Sequence, residues 1–476
     1  MYAGAGLEAG YYHDWQDSSG WICLCRCSGS RRRQRRRRGR VLLSHKERGV
    51  NRRKFVQMAG AAAFAGGKWL RAQNSTAAKT ASAAPIPASV PWKQFEVEAA
   101  LYAWDLHDEG VEQVLDNVQG MAAVNSVYII GQMHPERRPE TSAAYPHNPV
   151  RPFWMAEDAR ANWHFDPKRY GRIKPRPSDF AWLADTDWTR VFVDAARKRG
   201  LRVGFEFSHS LVDKQRVEGE FADLANRNIH GEITHVRDWL RPVCPNQPDV
   251  REYAVNAFTE VIQKYQVDWV ESAIVLMDEA VGGSPARGGG CFCAACKKAA
   301  PGFGVDLGKI QAALLKDPAS EPELGQWQQF RFASVAAFYK MLQPAVHKAK
   351  PGTVLRYSMH AKNPRDFGVD IVQLKPHLDA LRIQDYSEQT GQVAAMNGKR
   401  SWLTEERGNM GPDFNLVSGV AVRPRATPEL IRQGVKIAVQ TKMNGIMLGF
   451  YDGADFPNLR AVRAGLADAG LPVAAA

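Results

Sequence analysis

The sequence predicts a (β/α)8 TIM barrel forming one large α/β domain with long βα loops, and three observations lead there. The chain has 476 residues, enough for one barrel plus extensions. From about residue 94, short apolar runs alternate with amphipathic segments, the pattern of a parallel α/β sheet. Almost every apolar run ends in polar or ionisable residues, as the active face of a barrel requires. A doubly wound open sheet is the alternative, but no Gly-rich dinucleotide fingerprint follows the first run.

The expected elements follow in order. The first strand is Val97 to Trp104, followed by a helix from Val111 to Ala123. The second strand is Ser126 to Gly131, and residues 135–185, rich in Pro, Arg, Trp and Tyr without a sustained period, read as an active-site loop. A helix from Thr189 to Arg199 leads to strand three, Arg202 to Phe207; a helix from Val250 to Tyr265 leads to strand four, Trp269 to Met277. A cysteine-bearing insertion at 280–300 precedes a long helix, Trp327 to Lys348. Strands five, six and seven are expected at Val354 to Met359, Ala380 to Asp385 and Ser401 to Thr404. A helix from Pro428 to Thr441, strand eight from Gly445 to Phe450 and a helix from Leu459 to Ala469 complete a barrel domain over 94–472.

The N-terminus reads as a leader. In NRRKFVQMAGAAAFAGG, residues 51–67, Arg52 and Arg53 precede Phe55, Val56 and a modest Ala/Gly-rich apolar stretch. This resembles a twin-arginine export signal over 51–72, with cleavage near Ala72 and an Ala-rich linker over 73–93. The twin-arginine translocase is then a partner, and the mature protein is expected to be periplasmic or secreted. The apolar stretch is too short to span a bilayer. Residues 1–50, with the run RRRQRRRRGR, form a basic leader whose natural reading is a translation start nearer Val50.

The net charge of +13 invites a nucleic-acid reading. Its location argues otherwise: fourteen Lys/Arg against four Asp/Glu put +10 into residues 1–54, leaving +3 for the other 422. The chain carries 13 Trp, 13 Tyr and 20 Phe, compatible with a cleft that stacks on sugar faces.

Candidate site residues stand at the expected strand ends: Trp104, Asp105 and His107 after the first, His134 after the second, Glu206 and His209 on the third, and Glu279 after the fourth. His360 and Asp385 follow the fifth and sixth, Glu405 and Glu406 the seventh, and Tyr451 and Asp452 the eighth. Carboxyl groups after strands four and seven, with hydrogen-bonding groups after the rest, suit cleavage of a glycosidic bond, which needs two carboxyls across the bond.

Cys244, in RPVCPNQPDVREY, and Cys291, Cys293 and Cys296, in GCFCAAC, fall close together. Four thiolates suit a tetrahedral zinc ion, and two disulfides are the alternative, although Cys291 and Cys293 are too near in sequence to bridge comfortably. A Cys-Pro-Asn-x-Pro element opening a helix, a carboxylate after strand four, and then C-x-C-x2-C resemble the β-galactosidases of glycoside hydrolase family 42. The resemblance implies a (β/α)8 barrel, a structural zinc on Cys244, Cys291, Cys293 and Cys296, and a retaining two-glutamate mechanism. It puts the acid/base on Glu279 and the nucleophile on Glu405, in SWLTEERG, with Glu406 as rival because a register slip of one reverses the face. The resemblance is good over 240–300 and architectural elsewhere. Asp278 stands where the family has Asn, and the family's trailing domains are absent, so galactose specificity does not carry over.

The expected function is therefore an exported glycosidase acting on a carbohydrate, with Glu279 protonating the leaving oxygen and Glu405 attacking the anomeric carbon. A metal-dependent hydrolase or isomerase using His107, His134, His209 and His360, and a non-catalytic carbohydrate-binding barrel, are the rivals. The sequence gives no sign of nucleic-acid binding or of a membrane span in the mature chain.

Overall fold

The structure, a computed structural model, describes residues 94–473 apart from 134–135, 138–145, 151–154, 157, 235–239 and 360–361. The expectations for the leader, export signal and linker, and for His134 and His360, lie outside the described residues.

Eight strands close a barrel: β1 (Glu96–Leu101), β2 (Ser126–Met133), β3 (Arg202–His209), β4 (Trp269–Ile274), β5 (Val354–Met359), β6 (Ala380–Ile383), β7 (Asn415–Ala421) and β8 (Gly445–Gly449). Each pairs in parallel with its neighbour, and β8 returns to β1 with Glu96 opposite Gly445. The (β/α)8 expectation holds. The outer layer is α1 (Val111–Ala122), α2 (Trp188–Lys198), α3 (Pro248–Tyr265), α4 (Glu321–Ala349), the short α5 (Ile371–Leu374), α6 (Val393–Met410), α7 (Pro428–Gln440) and α8 (Phe456–Asp468). Among the described residues no helix is long and apolar enough to cross a membrane.

Local chemistry sets the boundaries. Asp187 caps α2 by accepting from the Arg190 N–H at 3.1 Å, and Thr427 caps α7, whose first residue is Pro428. The first strand stops at Leu101, earlier than expected, because the Asp105 carboxylate reaches back to the Tyr102 N–H at 2.8 Å and starts a helix over Ala103–Glu109. Trp104, Asp105 and His107 therefore ride on a helical turn rather than on a strand end.

Strand seven is corrected. Ser401 to Thr404 lie inside α6, and the barrel strand is the run NLVSGVA of β7. Lys399 explains why the helix lies here: its buried ammonium donates to the Asp385 carbonyl at 2.8 Å and lies 2.9 Å from Glu388 Oε1. A buried ammonium is stable only when paired and hydrogen-bonded, and Lys399 locks the helix to the loop after β6.

The barrel interior is unusually charged. Arg356 on β5 makes two bonds to Glu98 on β1 and one to Glu271 on β4, and lies 3.8 Å over the Trp269 ring. Arg382 on β6 donates to Tyr128 at 2.9 Å and to Glu206 at 2.8 Å, and also pairs with Glu271. Three carboxyls thus face two guanidiniums with essentially no exposure. Burial pushes Glu206 up to about 8, against the Arg382 charge and reinforced by Glu271. Glu271 moves the other way: although burial would raise it, Arg356 and Arg382 hold it below the usual carboxylate value.

Candidate active site

The C-terminal mouth of the barrel is built from the residues following β3, β4, β6, β7 and β8. Glu279 follows β4, partly exposed, and its N–H donates to Asp278 Oδ1 at 2.9 Å while Asp278 itself is buried. The paired strand ends at Ile274, so Asp278 and Glu279 come four and five residues after it. His209 closes β3, half-buried, with Ser208 Oγ 2.9 Å from its Nδ1. Gln132 donates to the Leu211 carbonyl at 3.1 Å and ties the β2 end to the β3 loop.

Asp385 is buried after β6, accepting from the Ser387 N–H at 2.9 Å through Oδ1, while Oδ2 has no hydrogen-bond partner among the described residues. Tyr386 follows and packs against β7 and β8: a Cβ at Gly419 would come within 2.8 Å of its ring and one at Gly449 within 2.6 Å, so these glycines make room for it. Burial raises the Tyr386 hydroxyl pKa, against the nearby Arg382. After β7 comes Arg423, 3.6 Å from Asp452 and 5.2 Å over the Phe450 ring. Tyr386, Phe450 and Arg423 were not singled out in the sequence. Arg423 became visible only once β7 was placed correctly, and its signal is the strand-like run NLVSGVAV immediately before it.

Several expected site residues are elsewhere. Glu405 is exposed on α6 and does not follow a strand, which removes the basis for its nucleophile role. Glu406 is buried on the same helix, accepting from Trp402 Nε1 and Asn409 Nδ2, both at 3.1 Å; burial raises its pKa. Glu206 belongs to the barrel's internal ion-pair cluster rather than to the mouth. Tyr451 is buried with its hydroxyl committed to Glu109 at 2.8 Å and Asn117 at 2.9 Å. Asp452 is buried and accepts from the Gly453 N–H at 2.7 Å. Trp104 is buried and stacks on Tyr102 at 4.0 Å. His107 packs between Trp182 and Trp188, at 4.5 and 5.5 Å, and its Nδ1 meets Asp108 at 2.8 Å.

The insertion after β2 also differs from a pure active-site loop. Arg160 and Ala161 pair antiparallel with Met133 and Gln132, but Trp163 then tucks behind β3, edge-on to Phe205 and Phe207, and donates to Glu260 of α3 at 3.2 Å. Part of this segment therefore packs on the outer wall.

The four cysteines form the only cluster among the described residues able to hold a metal: all are buried, with ligand atoms within 4.8 Å of one another. Cys244 Sγ lies 3.4 Å from Cys296 Sγ and 3.5 Å from Cys293 Sγ, and all four are free rather than disulfide-bonded. Sulfurs about 2.3 Å from a common tetrahedral ion stand close to these separations. The surroundings fit thiolates: N–H groups of Arg227, Asn246 and Cys296 point at Cys291, Cys244 and Cys293, each at 3.4 Å, and Asn246 Nδ2 at Cys296, 3.3 Å away.

Comparison with solved structures finds the same architecture at low identity. The glycoside hydrolase domain of PgaB (BpsB) from Bordetella bronchiseptica superposes with a TM-score of 0.52 at 12% identity, over 79% of this chain and 99% of that one. A β-galactosidase from the Antarctic haloarchaeon Halorubrum lacusprofundi gives 0.52 at 12% identity, over 79% of this chain and 58% of that one, so the present chain spans less than two thirds of it. No protein-family model and no curated protein matches the chain. At these identities the likeness establishes the fold, a (β/α)8 barrel of the kind found in glycoside hydrolases.

Proposed function

We propose that this protein is an exported glycoside hydrolase in which Glu279 is the general acid. The observation that carries the reading is the placement of a partly exposed glutamate, backed by a buried aspartate, after β4 of a glycoside-hydrolase-like barrel. In this reading Glu279 protonates the leaving oxygen, and Asp385, with its uncommitted Oδ2, supplies the second carboxyl. Tyr386, Phe450, His209 and Arg423 hold the sugar by stacking and hydrogen bonds. Zinc is the metal we assign to Cys244, Cys291, Cys293 and Cys296, in a structural role: all four positions of a tetrahedral site are filled by protein, leaving none for substrate.

The twin-arginine signal over 51–72 supports delivery to the periplasm or beyond through the twin-arginine translocase. The substrate class is a carbohydrate. The test is a panel of aryl glycosides and oligosaccharides with wild type, Glu279→Gln and Asp385→Asn. Turnover by wild type that falls at least a hundredfold in Glu279→Gln supports the proposal; equal turnover in both ends it. The anomer first released, read by NMR, separates retention from inversion.

A further inference from the structure

Helix α4 backs two places at once, the four-cysteine cluster and the exit from β4. Near its start, Trp327 stacks on Phe292, between Cys291 and Cys293, at 5.7 Å and 9°. One turn on, the Arg331 guanidinium lies 4.8 Å over the Trp327 ring and donates through Nη2 to the carbonyls of Asp278 and Asp366, both at 2.7 Å. Ser334 follows, its Oγ accepting at 3.0 Å from the Asn246 amide that also reaches Cys296. Three residues on one face of the helix therefore touch the cysteine loop, the residue preceding Glu279, and the ligand-bearing Cys-Pro-Asn turn.

Arg331 is fully buried, and its Nε and Nη1 have no hydrogen-bond acceptor among the described residues. A buried guanidinium with most of its donors uncommitted needs compensating negative charge nearby. Asp278 and Asp366 supply part of it, and four thiolates around one zinc ion, with a net charge of about −2, would supply more from the side of Cys291.

We propose that Arg331 is a positioning residue joining the metal centre to the active site: it holds the Asp278 carbonyl, and through it Glu279, while serving as the cation that faces the metal–thiolate cluster. The positioning half rests on the reading of Glu279 above; the charge half does not. Asp278, Asp366 and Cys291 are the charged groups that act on Arg331.

Wild type, Arg331→Lys and Arg331→Met, each loaded with zinc, are challenged with a chelating indicator, and kcat, KM and pH profiles are measured beside them. Arg331→Met is expected to release zinc about tenfold faster or more. Its kcat should fall with KM little changed, and the basic limb of its profile should move to higher pH, because losing a nearby cation raises a carboxyl pKa. Arg331→Lys keeps the charge but not the fork, so it should hold zinc as wild type does and still lose kcat. Wild-type zinc release from folded Arg331→Met, faster release from Arg331→Lys, or a purified wild-type chain that binds no zinc overturns the proposal. Fast release with an unmoved basic limb overturns the positioning role. Zinc release needs no substrate, so it decides the charge role even if Glu279→Gln retains full turnover and the active-site reading fails.

Discussion

Arg382 Nη2 stands 2.8 Å from Glu206 Oε2 in the middle of the barrel, and the same guanidinium also pairs with Glu271. With Glu98 bound to Arg356, the interior holds one more carboxyl than guanidinium, and the surplus is carried as a proton on Glu206.

That proton makes stability depend on pH. The ordinary value for Glu206 is 4.5 and the folded value is about 8, so between these the folded chain keeps a proton that the unfolded chain has released. Stability should therefore fall as pH rises through that window. Glu206→Gln keeps the shape without the titration, and its Tm should decline less between pH 5 and 8 than that of wild type. Parallel declines would place the proton elsewhere. Glu96, also pushed to about 8 by burial and by Glu98, contributes a slope that remains in the variant.

Lys399 and Glu388 make a second buried pair, at 2.9 Å. Lys399→Met strands Glu388 without its cation, and denaturant unfolding should show a loss of about 3–5 kcal/mol. A loss below about 1 kcal/mol would mean that α6 is held by its apolar face alone.

Glu405 provides a control. It is exposed on α6, so Glu405→Ala should change stability by no more than about 0.5 kcal/mol and leave kcat/KM unaltered. A fall of a hundredfold or more in kcat would return Glu405 to the mechanism.

The metal centre should make itself visible directly. Purified protein should carry about one zinc per chain, and cobalt substitution should give the absorption of a tetrahedral thiolate site. Cys293→Ser should lose the metal and lower the Tm, because the four sulfurs converge from two distant chain segments, at Cys244 and at 291–296. Wild-type metal content in that variant would remove Cys293 from the site.

Seven of the eight strands were legible because Val, Ile, Leu and Phe runs bounded by turn residues survive any small shift in register. Their ends were less so: in β1 the approach of Asp105 to the Tyr102 N–H ends the strand, and such a local hydrogen bond leaves no periodic trace. Strand seven failed for a different reason. SWLTEERG offered two glutamates after an apolar pair, but Leu, Glu and Arg are helix formers, and the β-like run NLVSGVAV stood unused a few residues later. The cysteine cluster was legible from spacing, since three of its members sit within six residues. Side-chain direction was not: Glu206 lies within β3, and Tyr451 and Asp452 follow β8, yet each is spent inside the protein. Arg331 could not be found at all, because only tertiary packing brings α4 beside Asp278.

The central claim is that Glu279 performs proton transfer to a glycosidic oxygen, and leaving-group dependence tests it most directly. Glu279→Gln is assayed on one sugar carrying a series of phenols of falling pKa. The account predicts a loss of at least a hundredfold on poor leaving groups, and near-recovery on the most acidic phenol, which departs without a proton. An equal loss across the series, or no loss at all, would contradict the role of Glu279 as general acid.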